Sequence, residues 1–163
     1  MRVLGIDPGL RITGYGIIDF LEGQVDPQLV EAGVIRLSSR LPLEGRLVQL
    51  HDDLLSLIDE FDPTQFAVEK LYAHYRHPRT AILMGHARGV ILVVAAQRGL
   101  RIAHLPSTEV KKAVTGYGHA SKQQIQLAIQ TQCGLEEPPS PPDVADAIAI
   151  ALCHGRRLAR RCG

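Results

Sequence analysis

Four carboxylates in this 163-residue chain are placed where a sheet protein could gather them: Asp7 in Gly-Ile-Asp-Pro-Gly at 5 to 9, Glu69 in Val-Glu-Lys at 68 to 70, and Asp143 with Asp146 near the C-terminus. Asp7 and Glu69 each close an apolar segment that reads as a strand, and Asp143 and Asp146 fall in the first turns of a helix. Taken singly, most of these acids have a plain structural explanation. Asp before Pro-Gly starts turns well, and Glu69 beside Lys70 can be an ordinary strand end. Asp143 stands three residues after Ser140, at capping-box spacing, in a first turn where the helix dipole favours an acid. Asp146 is harder to explain that way. Val144, Ala145 and the run Ala147 to Cys153 make its helix apolar nearly all round. Such a helix is buried, and an unpaired buried carboxylate is costly.

Positions 143 and 146 are three apart and therefore share a helical face, so both can point at one site. Two like charges about 4 Å apart repel by roughly 4 kcal/mol at an effective dielectric of about 20, so a site with four acids needs cations to stay ionised. Mg²⁺ and Mn²⁺ favour hard oxygen ligands and keep room for water and phosphate. A pair of such ions about 3.5–4 Å apart activates an attacking water and stabilises the leaving oxygen of an in-line displacement. The chemistry implied is phosphodiester hydrolysis without a covalent intermediate.

The cations point to the same substrate class. The formal charge is only +1, but from Lys70 to Lys122 the one acid is Glu109, against Lys70, Arg76, Arg79, Arg88, Arg98, Arg101, Lys111, Lys112 and Lys122. A basic face beside an acidic pocket suits a polyanion held by cations and cut at metals; the competing reading is a solvated surface with chance asymmetry. Lys122 follows Ser121 at a helix start, where free backbone N–H groups already attract an anion. The histidines show no ligand spacing beside a suitable acid, and none is assigned to metal. Cys133, Cys153 and Cys162 form no C-x-x-C pair, so neither a disulfide framework nor a zinc site is implied and a reducing, cytoplasmic setting is expected. The longest apolar run, Gly89 to Ala96, falls short of the roughly 18–20 residues needed to cross a bilayer.

The elements that must position these residues follow from periodicity. Residues 2 to 7, Thr13 to Phe20 and Leu29 to Leu37 read as strands joined by short connections, an antiparallel meander. Apolar residues at helical spacing predict a helix from Leu43 to Phe61. A short strand ends at Glu69, a helix runs from about Pro78 to Gln97, and a strand covers Arg101 to Leu105. A short helix with Lys111 and Lys112 starts at Pro106 to Thr108. Ser121 can cap a helix from Lys122 to about Gln132. The last helix begins near Ser140, with Pro141 at its first position, and runs toward the basic end Arg156 to Arg161. At this length the chain fits one domain, residues 1 to 163, able to bury roughly 68–70% of its unfolded surface. Gly85, Ala87 and Gly89 lie among large apolar residues of the second helix, and small residues let another helix approach, so part of that helix is a candidate dimer interface; packing against its own sheet is the alternative.

Several segments together resemble the RuvC Holliday-junction resolvases: Gly-Ile-Asp-Pro-Gly at 5 to 9 followed by Thr-Gly-Tyr-Gly at 13 to 16, Val68-Glu69, Gly-His-Ala-Arg-Gly at 85 to 89, Val-Thr-Gly-Tyr-Gly at 114 to 118, and Asp-Val-Ala-Asp-Ala at 143 to 147. The resemblance implies a ribonuclease H-like α/β fold, with a five-stranded mixed sheet of three antiparallel strands then two parallel ones, flanked by helices. It implies a homodimer that resolves four-way DNA junctions in recombination and repair by paired symmetric nicks, and two divalent ions per subunit, Mg²⁺ or Mn²⁺. Asp7 would bridge both ions, Glu69 would hold one, and Asp143 with Asp146 would complete the other. Lys111, Lys112 and Lys122 match positions that contact DNA phosphates in the family. Tyr72 stands where relatives carry a Phe that stacks on opened bases; with the adjoining Arg76 it is a candidate DNA contact, since stacking is worth about 1–3 kcal/mol per base. His74 or His77 could assist electrostatically. Lys70 and His86 replace common Gln residues, which bears on strand contact and cut-site preference. A branch-migration motor complex is an expected partner through the resemblance alone. Two other functions compete: an actin-like ATPase, which shares an Asp-x-Gly phosphate loop but uses two such domains, and a DNA-binding module without catalysis, which would gain by losing acids near phosphate.

Overall fold

The structure is a computed structural model, and it describes residues 1–24, 26–71 and 78–162. Five strands form one sheet in the order β3-β2-β1-β4-β5. β1 (Arg2–Asp7), β2 (Ile12–Asp19) and β3 (Gln28–Arg36) make the antiparallel meander, and β4 (Gln65–Glu69) and β5 (Ile102–Leu105) extend it in parallel from β1. The connecting helices are α1 (Leu43–Phe61), α2 (Pro78–Gln97), α3 (Ser107–Thr115), α4 (Lys122–Cys133) and α5 (Pro142–Cys162). Strand and helix boundaries fall close to those the periodicity predicts. The clearest shift is at α5, which starts at Pro142 rather than near Ser140, so that Pro142 and not Pro141 takes the first helical position.

The parallel arrangement demands cover on both faces, and the sheet divides the core in two. Leu4, Ile6, Ile17, Phe66 and Val68 pack against α1 and α2. Val3, Ile18, Ala67 and Leu105 pack against α3, α4 and α5. Alternation along β1 and β4 thus sends neighbouring residues to opposite layers and buries the interior of both strands, Val3–Ile6 and Phe66–Val68, leaving their ends half-buried. Cys133 and Cys153 are free thiols.

α5 lies unusually close to the sheet. Gly5 of β1 and Gly16 of β2 sit opposite each other in register, as do Asp7 and Gly14. A Cβ on Gly5 would strike the Ala147 carbonyl oxygen, one on Gly14 the Asp143 carbonyl oxygen, and one on Gly16 would lie 2.8 Å from Ile148 Cα. The three glycines therefore form a seam without side chains into which the α5 backbone settles, and the seam carries the first turn of α5 over the end of β1.

α2 has a different character. Its most apolar stretch has a mean hydropathy of 1.4 and is long enough to span a membrane by length and composition alone. Ala87, Ile91, Val94 and Ala95 are buried in the core, whereas Ile82 and Val93 remain 62% and 52% exposed on the other side.

The seam generates a stability prediction. Gly16→Val should destabilise the protein by about 1–3 kcal/mol, the usual cost of overpacking, seen as a lower urea midpoint with an unchanged slope; an unchanged midpoint would mean that α5 has slack over the sheet.

Candidate active site

The parallel strands β1, β4 and β5 all end on one edge of the sheet, and the C-terminal ends of such strands are where loops and helix starts can converge. β1 delivers Asp7 there. The turn that follows is held by Thr13, a fully buried residue whose Oγ1 donates to the Gly9 carbonyl at 2.7 Å and accepts from the Gly9 N–H at 3.2 Å. Turn formation at Pro8-Gly9 is thus served by Thr13, and among the described residues no hydrogen bond uses the Asp7 carboxylate. β4 delivers Glu69 beside it. Arg88 of α2 donates through Nε to the Glu69 carbonyl oxygen at 3.1 Å and contacts the His104 ring, tying α2 to the ends of β4 and β5.

Asp7, Glu69 and Asp146 line one cleft of about 190 Å³, together with Ser107, Val110 and Lys111 of α3 and Lys122 and Ile125 of α4. Asp143 stands outside this lining, but its charge acts on both Asp7 and Asp146. Lys122 occupies the start of α4 because Ser121 closes a full capping box with Gln124. Its Nζ lies 3.9 Å from Asp146 Oδ2.

The electrostatics are those of a site short of positive charge. Burial pushes the Asp7 carboxyl well above its ordinary range, and the charges of Asp146, Glu69 and Asp143 push it further, with Lys122 opposing. Burial likewise raises Glu69, against a hydrogen bond from Ser107 and the charges of Lys111 and Lys122, while Asp146 adds to the rise. Asp146 is raised by burial, with Lys122 opposing and Asp143 adding. Carboxyls raised in the folded state stabilise it most at pH below their unfolded values of about 4, and that contribution is lost as pH climbs through the folded values. Gathering these acids therefore costs stability at neutral pH.

Among the described residues, no three His, Cys, Asp or Glu side chains are already drawn together so as to hold a metal ion. The donors that line the cleft still fit a hard divalent cation: they are carboxylate and hydroxyl oxygens, without imidazole or thiolate, and their raised pKa values mark charge that a cation would offset.

Of the residues singled out in the sequence, the structure brings Asp7, Glu69, Asp146, Lys111 and Lys122 to the cleft and Asp143 near it. Lys112 points elsewhere, into a separate groove between α3 and α5. Tyr72, Arg76, His74 and His77 lie outside the described residues. Sequence reading missed Ser107 and the structural role of Arg88. Ser107 had one legible signal, its place in the first turn of a helix directly after a strand of the same sheet edge. Arg88 was legible as one cation of the basic stretch and of the Gly-His-Ala-Arg-Gly segment, but its bond to the Glu69 backbone carried no signal in the sequence.

Comparison with known proteins agrees with this geometry. A family model described as crossover junction endodeoxyribonuclease RuvC matches residues 3–154. The chain is 44% identical over 156 residues to the protein of that name from Desulforamulus reducens, covering 96% of this chain and 94% of the relative. It is 49% identical over 153 residues to the one from Rhodopirellula baltica, covering 93% and 84%. The solved structure of T. thermophilus RuvC in complex with a Holliday junction substrate superposes with a TM-score of 0.89 at 34% identity, covering 99% of this chain and 96% of that one. The fold is therefore the ribonuclease H-like α/β fold, and this chain belongs to the RuvC family of crossover junction endodeoxyribonucleases.

Proposed function

We propose that the chain acts as a single nuclease domain that resolves four-way DNA junctions by paired symmetric nicks, with Asp7, Glu69, Asp143 and Asp146 as its catalytic acids. The observation that carries this reading is the meeting, around one cleft, of acids from three remote elements with Lys111 and Lys122 beside them. Family membership supports the reaction, and the T. thermophilus relative solved with a Holliday junction supports the substrate. An ATPase role has no such support, and a binding-only role leaves the retained acids unexplained.

Divalent metal is the cofactor class of these nucleases. Asp7, Glu69 and Asp146 of the cleft, with Asp143 beside it, would hold two ions, Mg²⁺ or Mn²⁺. When bound they would supply an activated water and charge for the leaving oxygen. The chain's own residues do the rest. Lys111 and Lys122 attract the phosphodiester into a cleft that the acids alone would make repulsive. The Ser107 hydroxyl, on the cleft wall, favours the ionised form of Glu69. Val110 and Ile125 form an apolar wall that limits water around the carboxylates. Tyr72, Arg76 and Lys112 remain candidate DNA contacts on the strength of the sequence.

A junction presents two strands to cut, and a two-fold dimer supplies one site for each. We place the dimer contact on the apolar groove of about 560 Å³ between α1 and α2, lined by Val48, Gly85, Gly89 and Val93 among others. Val48 and Val93 are 60% and 52% exposed, and a Cβ at Gly85 or Gly89 would meet nothing within 4 Å, so a second copy of α2 can approach closely. A branch-migration motor is the further partner proposed on kinship; co-migration of both proteins on one junction in a native gel is its check.

Two outcomes are expected. A synthetic four-way junction, but not its matched linear duplex, should receive symmetric nicks in Mg²⁺ or Mn²⁺, and Asp146→Asn should lose on the order of a hundredfold or more in rate, about 2.7 kcal/mol of barrier. Full activity in the variant, or equal cutting of the duplex, would defeat the assignment. In sedimentation at micromolar concentration the wild type should be dimeric and Val93→Glu monomeric; a wild-type monomer would remove the dimer.

A further inference from the structure

On the side of α3 away from the acidic cleft lies a groove of about 580 Å³ walled by α3 and the C-terminal half of α5. Lys112, Arg156, Arg157, Arg160 and Arg161 line it against a single acid, Glu109. That leaves four net positive charges in a chain whose total is +1, so the remainder of the molecule is net negative. On α5 the four arginines stand at i, i+1, i+4 and i+5, which puts them on one side of the helix. Favourable interaction with the helix dipole accounts for Arg160 and Arg161 in the last turn. It does not account for Arg156 and Arg157 a turn earlier, nor for Lys112 arriving from another helix.

The arginines differ in how they are held. Arg156 is anchored, donating to the Ala113 carbonyl at 3.3 Å and to Gln132 Oε1 at 2.8 Å. Arg157 Nη1 is 3.5 Å from Glu109 Oε1, with both side chains more than 40% exposed, a pair weak enough to be exchanged for a better anion. Arg160 and Arg161 have no ion pair among the described residues. Guanidinium forks are suited to phosphate and bind it in two-pronged fashion.

The position of the groove decides what that phosphate belongs to. α3 separates it from the cleft: Ser107 and Lys111 face the acids while Lys112 faces the arginines. α5 runs through both, carrying Asp146 at one and the arginines at the other. At about 1.5 Å per residue the groove begins roughly 10 Å and ends roughly 22 Å from Asp146 along that helix. With about 3.4 Å per base step, this corresponds to about three to seven base pairs.

We propose that the α3–α5 groove is a second phosphate-binding surface, which grips the backbone of the duplex arm about three to seven base pairs from the scissile phosphate. The inference rests on the reading of the cleft as the cutting site. An acidic protein surface is the other partner that this charge could attract, but continuity with the cleft through a shared helix favours the nucleic acid that the cleft already holds.

The test compares the full-length wild type with Arg157→Gln/Arg160→Gln/Arg161→Gln, leaving Arg156 to its structural bonds. Affinity for a four-way junction is measured against salt, using a normal junction and one with neutral methylphosphonate linkages at base pairs three to seven from the cut. Each lost phosphate contact should lower the slope of log affinity against log salt by about 0.9. The triple variant should therefore lose about two to three units of slope on the normal junction, and the neutral linkages should cost the wild type the same and the variant nothing further. A variant with the wild-type slope would overturn the proposal and leave the groove to an acidic protein. A loss of slope in the variant that is unaffected by which linkages are neutral would overturn its placement along the arm. Failure of the wild type to cut the normal junction in Mn²⁺ would instead reject the reading of the cleft, and the groove proposal with it.

Discussion

Glycine at positions 5, 14 and 16 lets the backbone of α5 rest on the β1–β2 pair, and the arrangement of acids follows from that approach. A side chain at any of the three would meet α5 backbone atoms and force the helix outward or sideways. Because Gly14 pairs in register with Asp7 and lies under Asp143, the same contact that packs the core also sets the first turn of α5 beside the end of β1. Packing and site are thus one constraint, and displacement of the helix by an ångström would alter both.

What the packing brings together, electrostatics opposes. Burial raises Asp7, Glu69 and Asp146, and Lys111 and Lys122 compensate only in part. The buried apolar length of α5, from Val144 to Cys153, supplies the driving force that holds the acids in place despite this. At about 25 cal/mol per Å² of apolar surface removed from water, such a helix outweighs a repulsion of a few kcal/mol. The site is strained by charge rather than by backbone geometry, and a divalent cation, the cofactor class of the family, would relieve it.

Much of this was legible in the sequence because hydrophobic periodicity reports burial. Asp146 stood out since its helix is apolar on every side, and the order of strands and helices followed from the change of period between them. Individual orientation was less legible. Lys111 and Lys112 read as a pair, yet adjacent residues on a helix point about 100° apart, and they serve two different surfaces. Ser107 looked like a helix start, and its contact with Glu69 depends on how α3 meets β4 across the sheet edge. The glycines at 5, 14 and 16 read only as parts of strands, since what they accommodate comes from the far end of the chain. The basic end of α5 read as dipole compensation because Lys112 is forty-odd residues away in sequence.

The most direct test of the central claim is a calorimetric titration of Mn²⁺ into the wild type and into Gly14→Ala, with circular dichroism and urea midpoints to confirm that the variant is folded. The wild type should bind the cation, and the variant should bind at least about tenfold more weakly, a loss of about 1.4 kcal/mol, because its α5 no longer sets Asp143 and Asp146 over Asp7. Equal affinity in a folded variant would contradict the account, since the acids would then be gathered by something other than the glycine seam.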